Sequence, residues 1–228
     1  MYGTPTIRAY TLPFVLFMAF LLVADLVEVK DSKNFWLANP RYLLYPHQTL
    51  VCAGCLIYYR KFYSFQWPKR LWEWGVTIGI AVLVLGIWIS PQEIFRHEPR
   101  LEGFDPTLLK DSPVAYWTTL AFRFLRLVVV VPFLEEIFWR SFLMRYIVAD
   151  DFEKVRPGTY TSASFGLVAF LFALAHAGPD FWPALACGVL YNGLMLMTGS
   201  LGACVIAHAI TNLLLGIYIM KTGQWGFW

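Results

Sequence analysis

The sequence is poor in charge. Only 14% of its 228 residues are Asp, Glu, Lys or Arg, against about a quarter in an ordinary soluble domain. From Phe181 to Met220 there is no Asp, Glu, Lys or Arg at all. There is also no dense basic tract and no nucleic-acid motif, so nucleic acid is set aside as a partner. No internal repeat or low-complexity tract is present. Buried Glu, His and Arg would suit an ion path, but transporter folds commonly carry an inverted repeat, and its absence argues against that function. Cysteine is scarce: Cys52, Cys55, Cys187 and Cys204. The Cys52-Ala-Gly-Cys55 spacing lies inside an apolar segment with no second pair, so packing is expected there rather than redox or metal chemistry. The apolar run Ala9–Ala24 is followed by Asp25-Leu-Val-Glu28 and not by a small-residue cleavage site. It is expected to be a membrane span rather than a removable signal.

What the sequence has in excess is apolar surface. It is 58% hydrophobic with a mean hydropathy of +0.56. Helices satisfy their own backbone hydrogen bonds where water is missing. The expected fold class is therefore all-α, a polytopic transmembrane helical bundle of seven to eight spans. Spans of roughly 20 residues fall at about Ala9–Val27, Tyr42–Tyr59, Trp74–Ser90 and Val114–Leu134, then Ser162–His176. The uncharged stretch after Phe181 holds two more, divided near Thr198-Gly199-Ser200-Leu201-Gly202. Val114–Val148 is too long for one span, and Pro132 is expected to kink it, after which the helix continues at an angle or partly re-enters. Residues 1–113 form N-terminal membrane helices and residues 114–228 a catalytic helical core, within one integrated domain. Trp67, Trp72, Trp74, Trp88, Trp182, Trp225 and Trp228 lie near expected span ends, as interfacial aromatic belts do. The basic loop carrying Arg60, Lys61, Lys69 and Arg70 favours an N-terminus inside.

Three polar elements interrupt the apolar background. The first is Glu135-Glu136-Ile-Phe-Trp-Arg140. Glu136 and Arg140 are four apart and share a helical face. Glu135 is turned about 100° from them and is free to face a different cavity. The second is Phe172-Ala-Leu-Ala-His176, and the third His208-Ala-Ile-Thr-Asn212. Taken singly, each reads as well as an ion pair, a helix cap or an interhelical hydrogen bond. Together they make a hydrolytic set. A carboxylate can take a proton from water, an imidazole can orient that water or protonate a leaving amine, and a His with an Asn amide can donate to an oxyanion.

Glu-Glu-x-x-x-Arg, Phe-x-x-x-His and His-x-x-x-Asn, in this order in hydrophobic helices, resemble the signature of the CPBP (Abi) intramembrane endopeptidases. These are relatives of the type II CAAX prenyl endopeptidase. The likeness covers about Val114–Met220, and the stretch from Val130 to Leu143 is similar to the branch found beside bacterial exosortase sorting systems. The resemblance implies that Glu135 activates water, His176 assists it, His208 and Asn212 form the oxyanion hole, and Glu136, Arg140 and Phe172 support them. It implies a membrane-anchored or lipidated protein or peptide as substrate and the lipid bilayer as surroundings. It further implies a multi-pass location in a bacterial inner membrane, with exosortase-type components as partners. No cofactor is expected, because His208-x-x-x-Asn212 lacks the Glu of His-Glu-x-x-His zinc helices. The alternative is zinc on Glu135, His176 and His208. A second alternative is a non-catalytic scaffold or bacteriocin-immunity protein that keeps the cluster for structure.

Overall fold

The computed structural model describes residues 4–176 and 178–228, and among them there is helix and no strand. Seven long helices make the bundle: α1 (Thr4–Val27), α2 (Arg41–Tyr58), α3 (Leu71–Glu93), α4 (Pro113–Tyr146), α5 (Ser162–Ala175), α6 (Phe181–Thr198) and α7 (Leu201–Thr222). Five of these, α1, α3, α4, α6 and α7, are long and apolar enough to cross a membrane. The other two fill the remaining expected positions with weaker signals. Helix α2 buries the polar Gln48 and Thr49, and α5 is apolar but short. Large side chains such as Val15, Leu22, Val82, Val114 and Trp117 are exposed on the outside. So much outward apolar surface suits lipid and not water; the protein is an integral membrane protein.

Helix ends follow local chemistry. The Ser112 hydroxyl accepts from Ala115 N–H and Pro113 occupies the first turn of α4, where a missing N–H costs nothing. Thr161 and Ser164 form a reciprocal cap on α5. The uncharged stretch divides at Gly199, whose φ of 60° ends α6, followed at once by the Ser200 cap of α7. That left-handed geometry is the usual use of glycine at a helix end. Helices α5 and α6 approach closely because Gly188 faces Ala169: a Cβ on Gly188 would lie 3.0 Å from the Ala169 Cα. Small residues at such crossings let membrane helices touch.

Prolines inside helices free carbonyl groups, and the fold supplies a donor to three of these. Pro13 leaves Ala9 O for the Tyr63 hydroxyl, which donates at 2.7 Å. Pro91 leaves Ile87 O for the Ser90 hydroxyl, at 2.8 Å. The third case lies in α4, where the kink was expected. Helix α4 runs unbroken from Pro113 to Tyr146 by switching twice to π-type turns, at Arg126–Val130 and Ile137–Leu143. In the first switch Val131 N–H bonds to Arg126 O, five residues back. The next carbonyl in that register, Leu127 O, faces Pro132, which has no N–H. Asn212 Nδ2 on α7 donates to Leu127 O at 2.9 Å. Proline is thus absorbed by a change of register, and the freed carbonyl ties α4 to α7.

The four cysteines are free thiols. Cys52 packs in α2 with its Sγ 3.8 Å from Pro13 O.

Candidate active site

The two adjacent carboxylates of α4 have different surroundings. Glu136 is fully buried (0% exposed). Its Oε1 accepts from Arg140 Nη1 at 3.1 Å and meets His208 Nδ1 at 2.8 Å. Arg140, also fully buried, donates from Nε to Asn192 Oδ1 at 3.2 Å, and Asn192 Nδ2 donates to Phe165 O at 2.9 Å. The guanidinium lies 4.7 Å from the Phe172 ring centre and 5.4 Å from that of Tyr191. One network therefore joins α4, α5, α6 and α7. A second chain holds α6, α7 and α3: the Tyr191 hydroxyl donates to Thr211 Oγ1, and Thr211 donates to Ala81 O, both at 2.9 Å. The Tyr191 ring also stands 5.5 Å from that of His208, so His208 is fixed by packing as well as by Glu136.

Glu135 is buried too, at 5% exposed, yet its carboxylate has no hydrogen bond or ion pair among the described residues, and its Oε2 is an orphan. It lines a cavity of about 300 Å³ together with His176, His208 and Asn212. All seven helices contribute wall residues: Phe17 from α1, Tyr45 from α2 and Trp88 from α3 join those of α4 to α7. The N-terminal helices thus shape the site, although their sequence carries no motif. His176 ends α5, and its Nδ1 lies 2.9 Å from Phe172 O. A carbonyl only accepts, so Nδ1 carries the hydrogen, and Nε2 of the neutral ring is left with a lone pair. Phe172 and Trp88 hold the ring, at 4.6 and 5.8 Å between centres. His208 spends Nδ1 on Glu136, leaving Nε2 free. Asn212 spends one amide N–H on Leu127 O, leaving a second.

One side of the cavity is closed by irregular chain. Arg100 pairs with Asp180 at 2.6 Å, and Gly226 N–H donates to Arg100 O at 2.8 Å. The loop after α3 is thereby tied to the start of α6 and to the turn after α7.

The cavity also contains residues that the motif pattern passes over, Tyr191, Arg123 and Arg126, and Asn192 supports the site from outside its wall by accepting from Arg140. Arg123 and Arg126 lie in the overlong Val114–Val148 segment but in none of the three motifs. Their three-residue spacing is the available signal, since it places them on one face. Among the described residues no three His, Cys, Asp or Glu side chains are grouped closely enough to hold a metal ion.

An all-helical membrane bundle enclosing carboxylate, imidazole and amide groups defines a class, that of membrane-embedded proteins with a polar internal site. Residues 117–214 match the family model described as type II CAAX prenyl endopeptidase, Rce1-like, so this part of the chain is similar to that family. The match takes in Glu135, His176, His208 and Asn212, while the wall residues of α1, α2 and α3 lie outside it. No curated protein and no solved structure matches the chain.

Proposed function

We propose that the protein is an intramembrane endopeptidase that cleaves a membrane-anchored or lipidated protein with water activated by Glu135. The family supports proteolysis of the CAAX type in general. The observation that carries the finer reading is the Glu135 carboxylate, with no hydrogen bond or ion pair among the described residues, beside His176, His208 and Asn212 in one cavity. A buried carboxylate left without donors is poised to accept a proton.

The steps balance as follows. The His176 Nε2 lone pair accepts a hydrogen bond from water and aims its oxygen at the peptide carbonyl carbon. Glu135 takes a proton as the water oxygen bonds to that carbon, and the carbonyl electron pair moves to oxygen. His208, held by Glu136 at Nδ1, presents Nε2 to the oxyanion. Asn212 donates its second amide N–H. When the carbonyl re-forms, the C–N bond breaks and the proton on Glu135 passes to the amine. One water is consumed, and an acid and an amine are formed. No step uses a metal.

The test is cleavage of a lipidated peptide by purified protein in nanodiscs prepared in H₂¹⁸O. One ¹⁸O should enter the new carboxyl group, and Glu135→Gln should stop the reaction. Activity should survive exhaustive chelation. Loss on chelation with recovery on stoichiometric zinc would replace this mechanism with one built on Glu135, His176 and His208 as ligands. Cleavage retained in Glu135→Gln would remove the water-activation role.

A further inference from the structure

The start of α1 and the end of α2 enclose a second hollow, of about 510 Å³, that shares no lining residue with the Glu135 cavity. Arg8, Arg60 and Lys61 line it together with Tyr58 and Tyr59, and no Asp or Glu does. None of the ion pairs among the described residues involves these three cations. The frame beneath them is fixed. The Tyr10 hydroxyl donates to Phe62 O and the Tyr63 hydroxyl to Ala9 O, both at 2.7 Å, so the turn after α2 is tied to α1. Arg60 Nη1 donates to Ile57 O at 3.1 Å. Arg60 also borders a groove of about 360 Å³ between α2 and α4, and it is the one charged residue there. The floor of this groove is Val130 and Ile137, 3% and 1% exposed, and its rim includes the exposed Ile57 and Val129. Phe65 also lines it, its ring 5.5 Å from that of Phe133. The α4 residues of the groove are not those that line the Glu135 cavity, so the groove lies on another face of the helix.

We propose that the two hollows form one site for an anionic phospholipid, whose phosphate lies among Arg8, Arg60 and Lys61 and whose acyl chain fills the groove between α2 and α4. Charge carries the first half: three cations on a fixed frame, with no acidic neighbour in the hollow, attract an anion, and guanidinium groups bind phosphate through paired hydrogen bonds. Continuity carries the second: Arg60 belongs to both hollows, so a phosphate held there starts its chain at the head of an apolar groove whose rim faces the bilayer. A free phosphate would leave that groove unused. The basic loop favours the inner side of the membrane for this end of the bundle, and anionic lipid is abundant in that leaflet. The groove also gives the lipid something to do. Val129 and Val130 belong to the first π-type turn of α4 and Ile137 opens the second. An acyl chain packed on them braces the helix that carries Glu135 where its hydrogen-bond register departs from the α pattern, and a ligand that binds only the folded state stabilises it. The proposal does not depend on the proteolytic reading.

The experiment titrates the purified protein in neutral detergent with diacyl phosphatidylglycerol, diacyl phosphatidylcholine or glycerol phosphate. Thermal unfolding and the lipid retained in native mass spectrometry are the two readouts. Phosphatidylglycerol should raise the unfolding temperature to a plateau, with one lipid retained per protein, and the other two should not. Arg60→Gln should weaken that binding by about fivefold or more, the scale of one basic residue at an anionic surface, and Arg60→Lys should keep part of it. Val129→Trp, which fills the groove from its exposed rim, should weaken it as well. Lys69→Gln, in the same loop but outside both hollows, should leave it within about twofold. These are exposed positions, so without added lipid each variant should unfold as wild type does. If Arg60→Gln proves unstable, Arg8→Gln on α1 reads the same loss. Equal effects of phosphatidylglycerol and phosphatidylcholine would overturn the proposal in favour of ordinary solvation by lipid. A shift reproduced by glycerol phosphate would overturn it in favour of a simple anion site. An equal loss in Lys69→Gln and Arg60→Gln would overturn it in favour of diffuse surface charge.

Discussion

The two sides of helix α4 carry similar residues in opposite states. On one side Glu136, Arg140, His208 and Asn192 form a bonded network in which one carboxylate oxygen receives two donors and the guanidinium is bonded and covered by rings, with only Glu136 Oε2 and Arg140 Nη2 left without a partner. On the other, Glu135, Arg123 and Arg126 are also buried; the arginines share the Tyr45 hydroxyl and Glu135 makes no hydrogen bond or ion pair among the described residues, so this side keeps more open donors and acceptors toward a cavity. The difference separates architecture from chemistry. A satisfied buried ion pair pins helices, and breaking it is strongly destabilising. An unsatisfied one is a standing cost that the fold tolerates where a substrate or water completes it.

Exchanging each carboxylate for its amide tests that contrast most strongly. Glu135→Gln should lower turnover by about a hundredfold to ten-thousandfold, the range of general-base catalysis. Its thermal unfolding in nanodiscs should change little, since Glu135 makes no hydrogen bond or ion pair among the described residues. Glu136→Gln should do the opposite first: it strands Arg140 and should cost about 3–5 kcal/mol of stability, seen as lower folded yield and an earlier unfolding transition. If both substitutions destabilised alike, or if Glu136→Gln kept wild-type stability, the division between the two sides would be wrong.

Next in size is Asn212, which belongs to both sides. If Asn212 serves as the proposed oxyanion donor, Asn212→Ala should slow kcat by about a hundredfold to a thousandfold, with little change in KM. It also exposes Leu127 O, the carbonyl that Pro132 cannot answer, so a stability loss of about 1–3 kcal/mol should accompany it. A change in stability without a change in kcat would reduce Asn212 to a helix tie.

The sequence made the helices and the Glu136–Arg140 pair legible because both follow from periodicity and four-residue spacing. Glu135 could be separated from Glu136 by the 100° step alone. The π-type turns of α4 were not legible: Pro132 reads as a kink until Asn212, which is 80 positions away, is known to take the freed carbonyl. The tie between Glu136 and His208 was hidden for the same reason, since no local rule links α4 to α7. Tyr45 and Phe17 enclose Arg126 from helices without a motif, so the open donors of the arginine pair appear only once the bundle is assembled.

The smallest effect is expected at Phe172, where the two sides meet. Its ring covers Arg140 at 4.7 Å and stands 4.6 Å from His176, while its carbonyl receives His176 Nδ1. Phe172→Leu keeps the carbonyl and the helix but removes the ring. The lost cation–π contact is worth about 0.5–2 kcal/mol, and the smaller side chain adds a modest packing loss in a buried position. Stability should therefore fall by roughly 1–3 kcal/mol, less than for Glu136→Gln, because Arg140 keeps its bonds to Glu136 and Asn192. The His176 ring loses one wall but keeps the hydrogen bond that fixes its tautomer and is still faced by Trp88. Turnover should drop less than about tenfold, with the pH profile unmoved. Unfolding curves and kcat measured on the same nanodisc preparation separate these contributions. A loss of turnover as large as that of Glu135→Gln, at near-native stability, would mean that the ring and not the carbonyl orients His176, and would move Phe172 from the structural side of the comparison to the chemical one.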